Sequence, residues 1–499
     1  AFFIGLDLHS ETNNKEHRTS EISVKELIVR RGQAFKLTLR LAPPFRPAFD
    51  QLTMTVVTGR PFIPSFIFQR SGSAKAVWRA ELQRSSSPET GVLVLAITPP
   101  AACPVGEYKM SAKLGEEERD LATLSVLFNP WCPEDWVFLP DEAERQEYVM
   151  NEHGIIYKGV DKYIDPTHWD FGQFEEDMVK ICMKILDYNV KHKQDPADDV
   201  SARCNPIYVS RVVTCMINSE NGGGILKGQW GMDFRGGVPP THWSGSYAIL
   251  KKWSNSVFSS VKYGQCWVYA AVMCSERLDV FGPVFVIVTK CYFTHAGMFC
   301  CGPAPVSAIR NGDTHLKYDI PFVFAEVNAD CITWLVKRDG SMVNIETDSI
   351  KIGQNISTKS VGTNNRMNIT DSYKQKEAVI TDQQKKNHMF LAETRIVLMK
   401  PPISITVFGE SRVNREMTAE VLFQNPVKEI LRDCSLTLTG SGLFNGELIT
   451  RLPDLLPNNR VRVKFHFVPY RSGDRTLLVD FDCASFRDIK KSCTVIVKP

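Results

Sequence analysis

Two hydrophobic rhythms divide the chain. From Ser23 to about Leu127, short runs such as ELIVRRGQAFKLTLRL, LTMTVVTG and GVLVLAITPP alternate apolar with polar residues, and Gly and Pro break them. A period of two puts successive side chains on opposite faces of a strand, so this part reads as a β-sandwich. Beyond residue 400, ISITVFG, TAEVLFQN, CSLTLTGSGLF, VRVKFHFVPY and RTLLVDFD repeat the pattern and predict a second, separate β-sandwich. The middle follows another rhythm. FGQFEEDMVKICMKILDYN sets Phe174, Met178, Ile181, Ile185 and Leu186 on one helical face. A second helix is expected from Pro206 to Met216. The β-branched run Val284 to Phe293 reads as a buried strand, and YDIPFVFAEVNADCITWLV as further strands. From about Tyr373 to Asn387 the chain is polar and patternless, as a linker would be. The expected division is residues 1–127, an N-terminal sandwich; 128–375, a mixed α/β unit; 376–395, the linker; and 396–499, a C-terminal barrel or sandwich.

Bulk properties narrow the classes. A chain of 499 residues exceeds a single core, so several domains are expected. With 59 basic against 56 acidic residues the net charge is +3, which leaves no footprint for nucleic acid or an anionic membrane. No apolar run reaches the roughly 18 residues of a membrane span. The opening AFFIGLDLHSETNN lacks the basic start and apolar centre of a signal peptide, and no Met precedes it, as expected of a fragment. Of the 14 cysteines, most stand singly in apolar stretches, as Cys182, Cys215 and Cys331 do. No C-x-x-C or zinc spacing occurs, so reduced thiols in a cytoplasmic protein are expected. The two N-x-S/T sequons, at Asn355 and Asn368, read as chance in such a protein.

One stretch carries chemistry. In VKYGQCWVYAAVMC, Cys266 follows Gly264 and Gln265 and opens an apolar helical run. A thiol in the first turn of a helix faces unpaired N–H groups and the positive end of the dipole, and both stabilise negative charge on sulfur. Gly264 is expected to let the backbone turn sharply before it. A buried structural cysteine is the commoner fate of a single Cys, and spacing alone leaves both readings open. Upstream lies the glycine-rich loop NSENGGGILKGQWGMDFRGGVPPTHW, functional or merely a connector.

YGQCWVYAAVMC resembles the active-site motif of the animal transglutaminase family. So do LFNPWCPEDWVF, RQEYVMNEHGIIYKG, WDFGQFEEDM, NPIYVSRVVTCMINS, FCCGPAPVSAIRNGD, YDIPFVFAEVNAD and ISTKSVG, in the family's order along nearly the whole chain. The likeness is to the epidermal and tissue types. It implies a multidomain fold: an N-terminal β-sandwich, a papain-like α/β catalytic core and C-terminal immunoglobulin-like β-barrels. It also implies a protein-glutamine gamma-glutamyltransferase. A thiolate attacks a protein glutamine, releases ammonia and forms a thioester, and a lysine amine displaces the thiol to leave an isopeptide cross-link. By that resemblance Cys266 is the nucleophile, and Trp230, in KGQW, stabilises the oxyanion through its indole N–H. Without it, a structural Trp beside a glycine loop would be the ordinary reading.

The resemblance also has gaps. The family's catalytic histidine lies in a segment like W-N-F-H-V-W and its aspartate in one like G-W-Q-x-L-D-x-T-P-Q-E; neither occurs here. The flanking pieces VFVIVTKCYFTHA and GMFCCGPAP are joined directly, near residues 295–298. His295 matches a non-catalytic family histidine, and neither His315 nor His388 has a motif that would make it a base. The acidic P-E-G-S-x-x-E-R segment and one C-terminal barrel are also missing. The expectation is therefore a truncated core and impaired activity, or a catalytically inactive structural or binding protein on the same scaffold. Calcium is the implied cofactor. The first family site maps onto the Cys215 carbonyl, Asn218 and Glu220, with Gly222 where an aspartate would stand; the second keeps only Asn328. Implied partners are protein glutamines and lysine or primary amines.

Overall fold

The computed structural model describes residues 2–58, 77–160, 163–219, 223–231, 233–256, 259–280, 304–313, 315–316, 320–328, 331–337, 339–348, 352–374, 403–485, 487 and 489–499. The expected strand at 284–293, the join at 295–298 and the linker at 376–395 lie outside the described residues.

Alternation in the first part closes into two four-stranded sheets. One runs Phe3–Asp7, Phe35–Leu41, Val92–Thr98, Arg79–Leu82; the other runs Ile28–Arg30, Glu117–Leu127, Gly106–Leu114, Leu52–Thr58. Their inner faces share one apolar core, with Leu37, Leu39, Leu93 and Ala112 fully buried. The LFNPWCPEDWVF segment then locks this sandwich to the middle domain. Asp135 accepts from Arg31 Nε and Nη2, both at 2.6 Å, and from the Asn129 N–H at 2.8 Å. Arg31 Nη1 also donates to the carbonyls of Cys103, at 2.6 Å, and Cys204, at 3.1 Å. This ion pair is almost entirely removed from water, so its worth depends on every donor finding an acceptor.

The middle domain is built on helices Met178–Tyr188, Pro206–Ile217, Ser246–Asn255 and Cys266–Val280, which pack on one another. Pro206 opens its helix where no N–H is needed, and the Asn205 side chain caps it by accepting from Ile207. Two expectations change. Phe174 precedes the first of these helices, which starts at Met178 after Asp177 in a left-handed turn (φ 65°). Ile320–Val327, read as strand, is helical, with Pro321 in its first turn. A short apolar run does not distinguish the two by periodicity alone. The strand that follows, Cys331–Val336, pairs with Met342–Asp348.

The C-terminal domain forms a three-stranded and a four-stranded sheet, strands Ile403–Gly409, Met417–Gln424, Arg460–Phe467 and Leu448–Arg451, Ser435–Thr439, Gly473–Asp482, Ile489–Val497. Phe423 and Phe481 stack across its core with centroids 3.8 Å apart. It docks on the middle domain through polar contacts. Glu175 accepts from Tyr470 Oη at 2.6 Å, and Glu152 pairs with Arg471 at 3.2 Å and with Arg475. Burial, then the neighbouring Glu152 and Glu175, holds the Asp170 carboxyl at this junction well above the ordinary carboxylate range. A cavity of about 530 Å³ also lies here, lined by Asp170, Glu175, Tyr247, Lys251, Ser441 and Glu447 among others, and neither Cys266 nor Trp230 reaches it.

Candidate active site

Two short parallel strands, Leu226–Gly228 and Val261–Gly264, set the site. Gly264 accepts through its carbonyl from the Gln229 N–H at 3.1 Å, which extends the pairing to the end of both strands. From that end one chain continues into Trp230 and the other into Gln265 and Cys266. The Gln265 carbonyl accepts from the N–H groups of Val268, at 2.8 Å, and Tyr269, at 3.1 Å, so Cys266 is the first helical residue, as the sequence suggested. The Gln265 side-chain amide donates to the Gln229 carbonyl at 2.8 Å and ties the two exits together. Tyr269 Oη donates to the Leu226 carbonyl at 3.0 Å and holds the helix against the strand. Val268 and Val272 anchor the helix with no exposed surface.

Cys266 is half-buried, neither sealed in the core nor open on the surface. Trp230 folds back over Gly228: a Cβ at that glycine would lie 2.5 Å from the indole ring. The tryptophan is nevertheless 53% exposed, and its indole N–H has no partner among the described residues. Trp230 and Cys266 therefore leave the same end of the strand pair, one exposed and the other half-buried. Gly264 is needed for a reason other than the one expected. Its φ is not positive; a Cβ there would meet Tyr269 at 3.2 Å and Leu226 at 3.3 Å, so a side chain would have to push those two neighbours back by a few tenths of an ångström.

Among the described residues, catalytic partners for Cys266 are not assembled. Among the described residues no histidine or carboxylate hydrogen-bonds to Cys266. His315 is exposed, and His295 and His388 lie outside the described residues. The buried histidines serve the fold: His192 Nδ1 sits 2.9 Å from Asp199 Oδ2, and Arg203 and Tyr208 complete that network.

The expected calcium ligands are only partly in place. The Cys215 carbonyl stands at the C-terminal end of its helix, the negative end of the dipole, and buried Asn218 follows as the C-cap. Glu220 and Gly222 lie outside the described residues. Asn328 ends another helix; it is 1% exposed, and its Oδ1 has no hydrogen-bond partner among the described residues. That buried oxygen suits a hard cation, but these three groups are neutral. No cluster of three or more His, Cys, Asp or Glu side chains able to hold a metal occurs among the described residues. No described helix is long and apolar enough to cross a membrane.

Sequence reasoning missed the Gln265–Gln229 tie and the Tyr269 contact. Both residues stand inside the quoted motifs, but only the pairing of the two strands reveals their partners.

Known proteins resemble this chain along most of its length. The sequence model of the transglutaminase family matches residues 5–115, and that of the family's C-terminal ig like domain matches residues 401–499. Human protein-glutamine gamma-glutamyltransferase 6 is 31% identical over 97% of this chain and 97% of its own. The chain belongs to the transglutaminase family. Human protein-glutamine gamma-glutamyltransferase 2 is 29% identical over 99% of this chain and 98% of its own. The crystal structure of red sea bream transglutaminase superimposes with a TM-score of 0.87 at 28% identity, covering 100% of both chains. The multidomain α/β plus β-sandwich architecture expected of a transglutaminase is therefore the fold observed. The alignment to the first relative spans 691 positions against 499 residues here, so about 200 of its positions face no residue of this transglutaminase chain.

Proposed function

We propose that this chain carries the acyl-accepting half of a protein-glutamine gamma-glutamyltransferase and performs its full reaction poorly. The placement of Cys266 at the head of its helix, tied through Gln265 to the strand that delivers Trp230, carries this reading. The Cys266 sulfur would attack the side-chain amide carbon of a protein glutamine, and the Trp230 N–H would donate to the oxygen as it becomes negative. Collapse must then expel ammonia, which leaves only if its nitrogen gains a proton. The subsequent lysine amine must lose one. Those proton transfers are the work of the histidine and aspartate whose motifs this sequence lacks. The span of relative sequence that faces no residue here supports such a shortened core.

The test is acylation by an activated aryl ester, whose leaving group departs without a proton. Mass spectrometry should find one acyl group on Cys266 and none in Cys266→Ala. Absence of that adduct in folded protein would remove the nucleophile from the account.

The alternative is a non-catalytic structural or binding protein on the same scaffold, favoured by the missing W-N-F-H-type motif. We further propose weak calcium binding by the Cys215 carbonyl, Asn218 and Glu220, and separately by Asn328, where the ion would supply positive charge that stabilises the surrounding loops. Titration calorimetry on the wild type and on Asn218→Ala would detect it. The cysteines, present as thiols wherever described, support a reducing, cytoplasmic location.

A further inference from the structure

The C-terminal domain places two cysteines opposite each other. Strands Ser435–Thr439 and Gly473–Asp482 pair with Ser435 facing Asp482, and the next step of that register sets Cys434 against Cys483. Inward-facing positions alternate along both strands, through Leu436 and Leu438 on one and Leu477, Val479 and Phe481 on the other. Cys434 and Cys483 continue those two rows, at 2% and 3% exposure in the same apolar core, and both are thiols.

The backbone fixes which kind of pair this is. The Cys434 carbonyl accepts from the Leu452 N–H at 2.8 Å, so its hydrogen-bonding edge faces the strand on the other side. Toward Cys483 it therefore occupies a non-hydrogen-bonded position, where opposed Cα atoms approach to about 4.5 Å. Asp433, in the left-handed region at φ 53°, makes a bulge, and the Ala484 N–H reaches past it to the Arg432 carbonyl. A disulfide needs Cα atoms about 4.4–6.8 Å apart and side chains on one face; burial puts both side chains in the same core, and a non-hydrogen-bonded pair ordinarily has that separation.

We propose that Cys434 and Cys483 are a disulfide site, which closes a loop of about fifty residues and staples the two central strands of the C-terminal sheet under oxidising conditions. The oxidant is a small disulfide such as oxidised glutathione. One protein thiolate attacks it, forming a mixed disulfide and releasing one glutathione thiol. The second cysteine attacks the mixed disulfide, forms the Cys434–Cys483 bond and releases the other. Two electrons pass from the protein thiols to glutathione, and the two protons end on its sulfurs. Burial is the main cause that raises the Cys434 thiol to about 11, with the Cys483 sulfur next. Thiolate is therefore scarce, and the bond forms slowly: this is a staple set by the redox environment rather than a fast sensor.

Equilibrating the folded full chain with glutathione buffers of rising disulfide content, then trapping remaining thiols with N-ethylmaleimide, tests this. Digestion should yield a linked peptide pair containing Cys434 and Cys483, increasing with the oxidised fraction and absent in both Cys434→Ala and Cys483→Ala. The unfolding midpoint should rise by several degrees in oxidised wild type, and in neither variant. Recovery of the two cysteines separately, as maleimide or glutathione adducts at the most oxidising ratio, would overturn the proposal.

Discussion

The side-chain amide of Gln265 donates to the main-chain carbonyl of Gln229 at 2.8 Å, joining the residue before Cys266 to the residue before Trp230. Cys266 and Trp230 thus share one small scaffold: two parallel strands and a side-chain tie across their open end. Gln265→Ala removes a neutral hydrogen bond worth about 1 kcal/mol. Thermal stability should change little, while Cys266-dependent acylation by an activated ester should slow by about tenfold. Stopped-flow release of the aryl alcohol checks this, and an unchanged rate would make the tie structural only.

Trp230 should matter only where an oxyanion forms. Replacing it with Phe keeps the ring and removes the donor, so ester acylation of Cys266 should fall by about 10²–10³-fold. Alkylation by iodoacetamide passes through no oxyanion and should proceed at the wild-type rate. Equal losses in both reactions would show that Trp230 acts through the position of the thiol.

At the junction of the first two domains, Asp135 neutralises Arg31 out of contact with water. Asp135→Ala strands that guanidinium and leaves the Asn129 and Val137 N–H groups without their acceptor. A loss of about 3–5 kcal/mol is expected by chemical denaturation. A loss below about 1 kcal/mol would mean that water reaches the site readily.

His17 should make stability depend on acid. It is completely buried; its Nδ1 accepts from the Arg30 N–H at 2.9 Å, and its Nε2 faces the Ala34 carbonyl at 3.1 Å. Burial above all, reinforced by Arg30 and Arg18 and opposed by the Ala34 hydrogen bond, lowers its pKa from 6.5 to about 4. The folded state therefore binds this proton less readily than the unfolded chain. The stabilisation is present above pH 6.5 and is lost as pH falls through about 4, a change of about 3 kcal/mol. Histidine NMR should show His17 neutral at pH 5; titration near 6.5 would contradict this.

Most strands and the helix start at Cys266 were legible because each depends on local order. Alternation wrote out Phe35–Leu41, Val92–Thr98 and Met417–Gln424, and the change to a helical rhythm after Gln265 placed Cys266 at a helix start. What escaped depends on partners far along the chain. Ile320–Val327 is apolar enough for either element, and tertiary packing made it a helix. Gly264 shows its reason only when Tyr269 and Leu226 close around it. Arg31 and Asp135, more than 100 positions apart, carry no sign in sequence that they meet.

The central claim is that Cys266 is placed for attack but lacks the groups that move protons to and from nitrogen. The most direct measurement is calcium-dependent incorporation of a labelled primary amine into a glutamine-rich protein, by the folded, monodisperse chain with Cys266→Ala as control. Loss of one triad member alone costs about 10⁴-fold in comparable enzymes, so incorporation should stay at the background set by Cys266→Ala. Sustained incorporation that vanishes in Cys266→Ala would contradict the claim and show that another residue of this chain serves as the base.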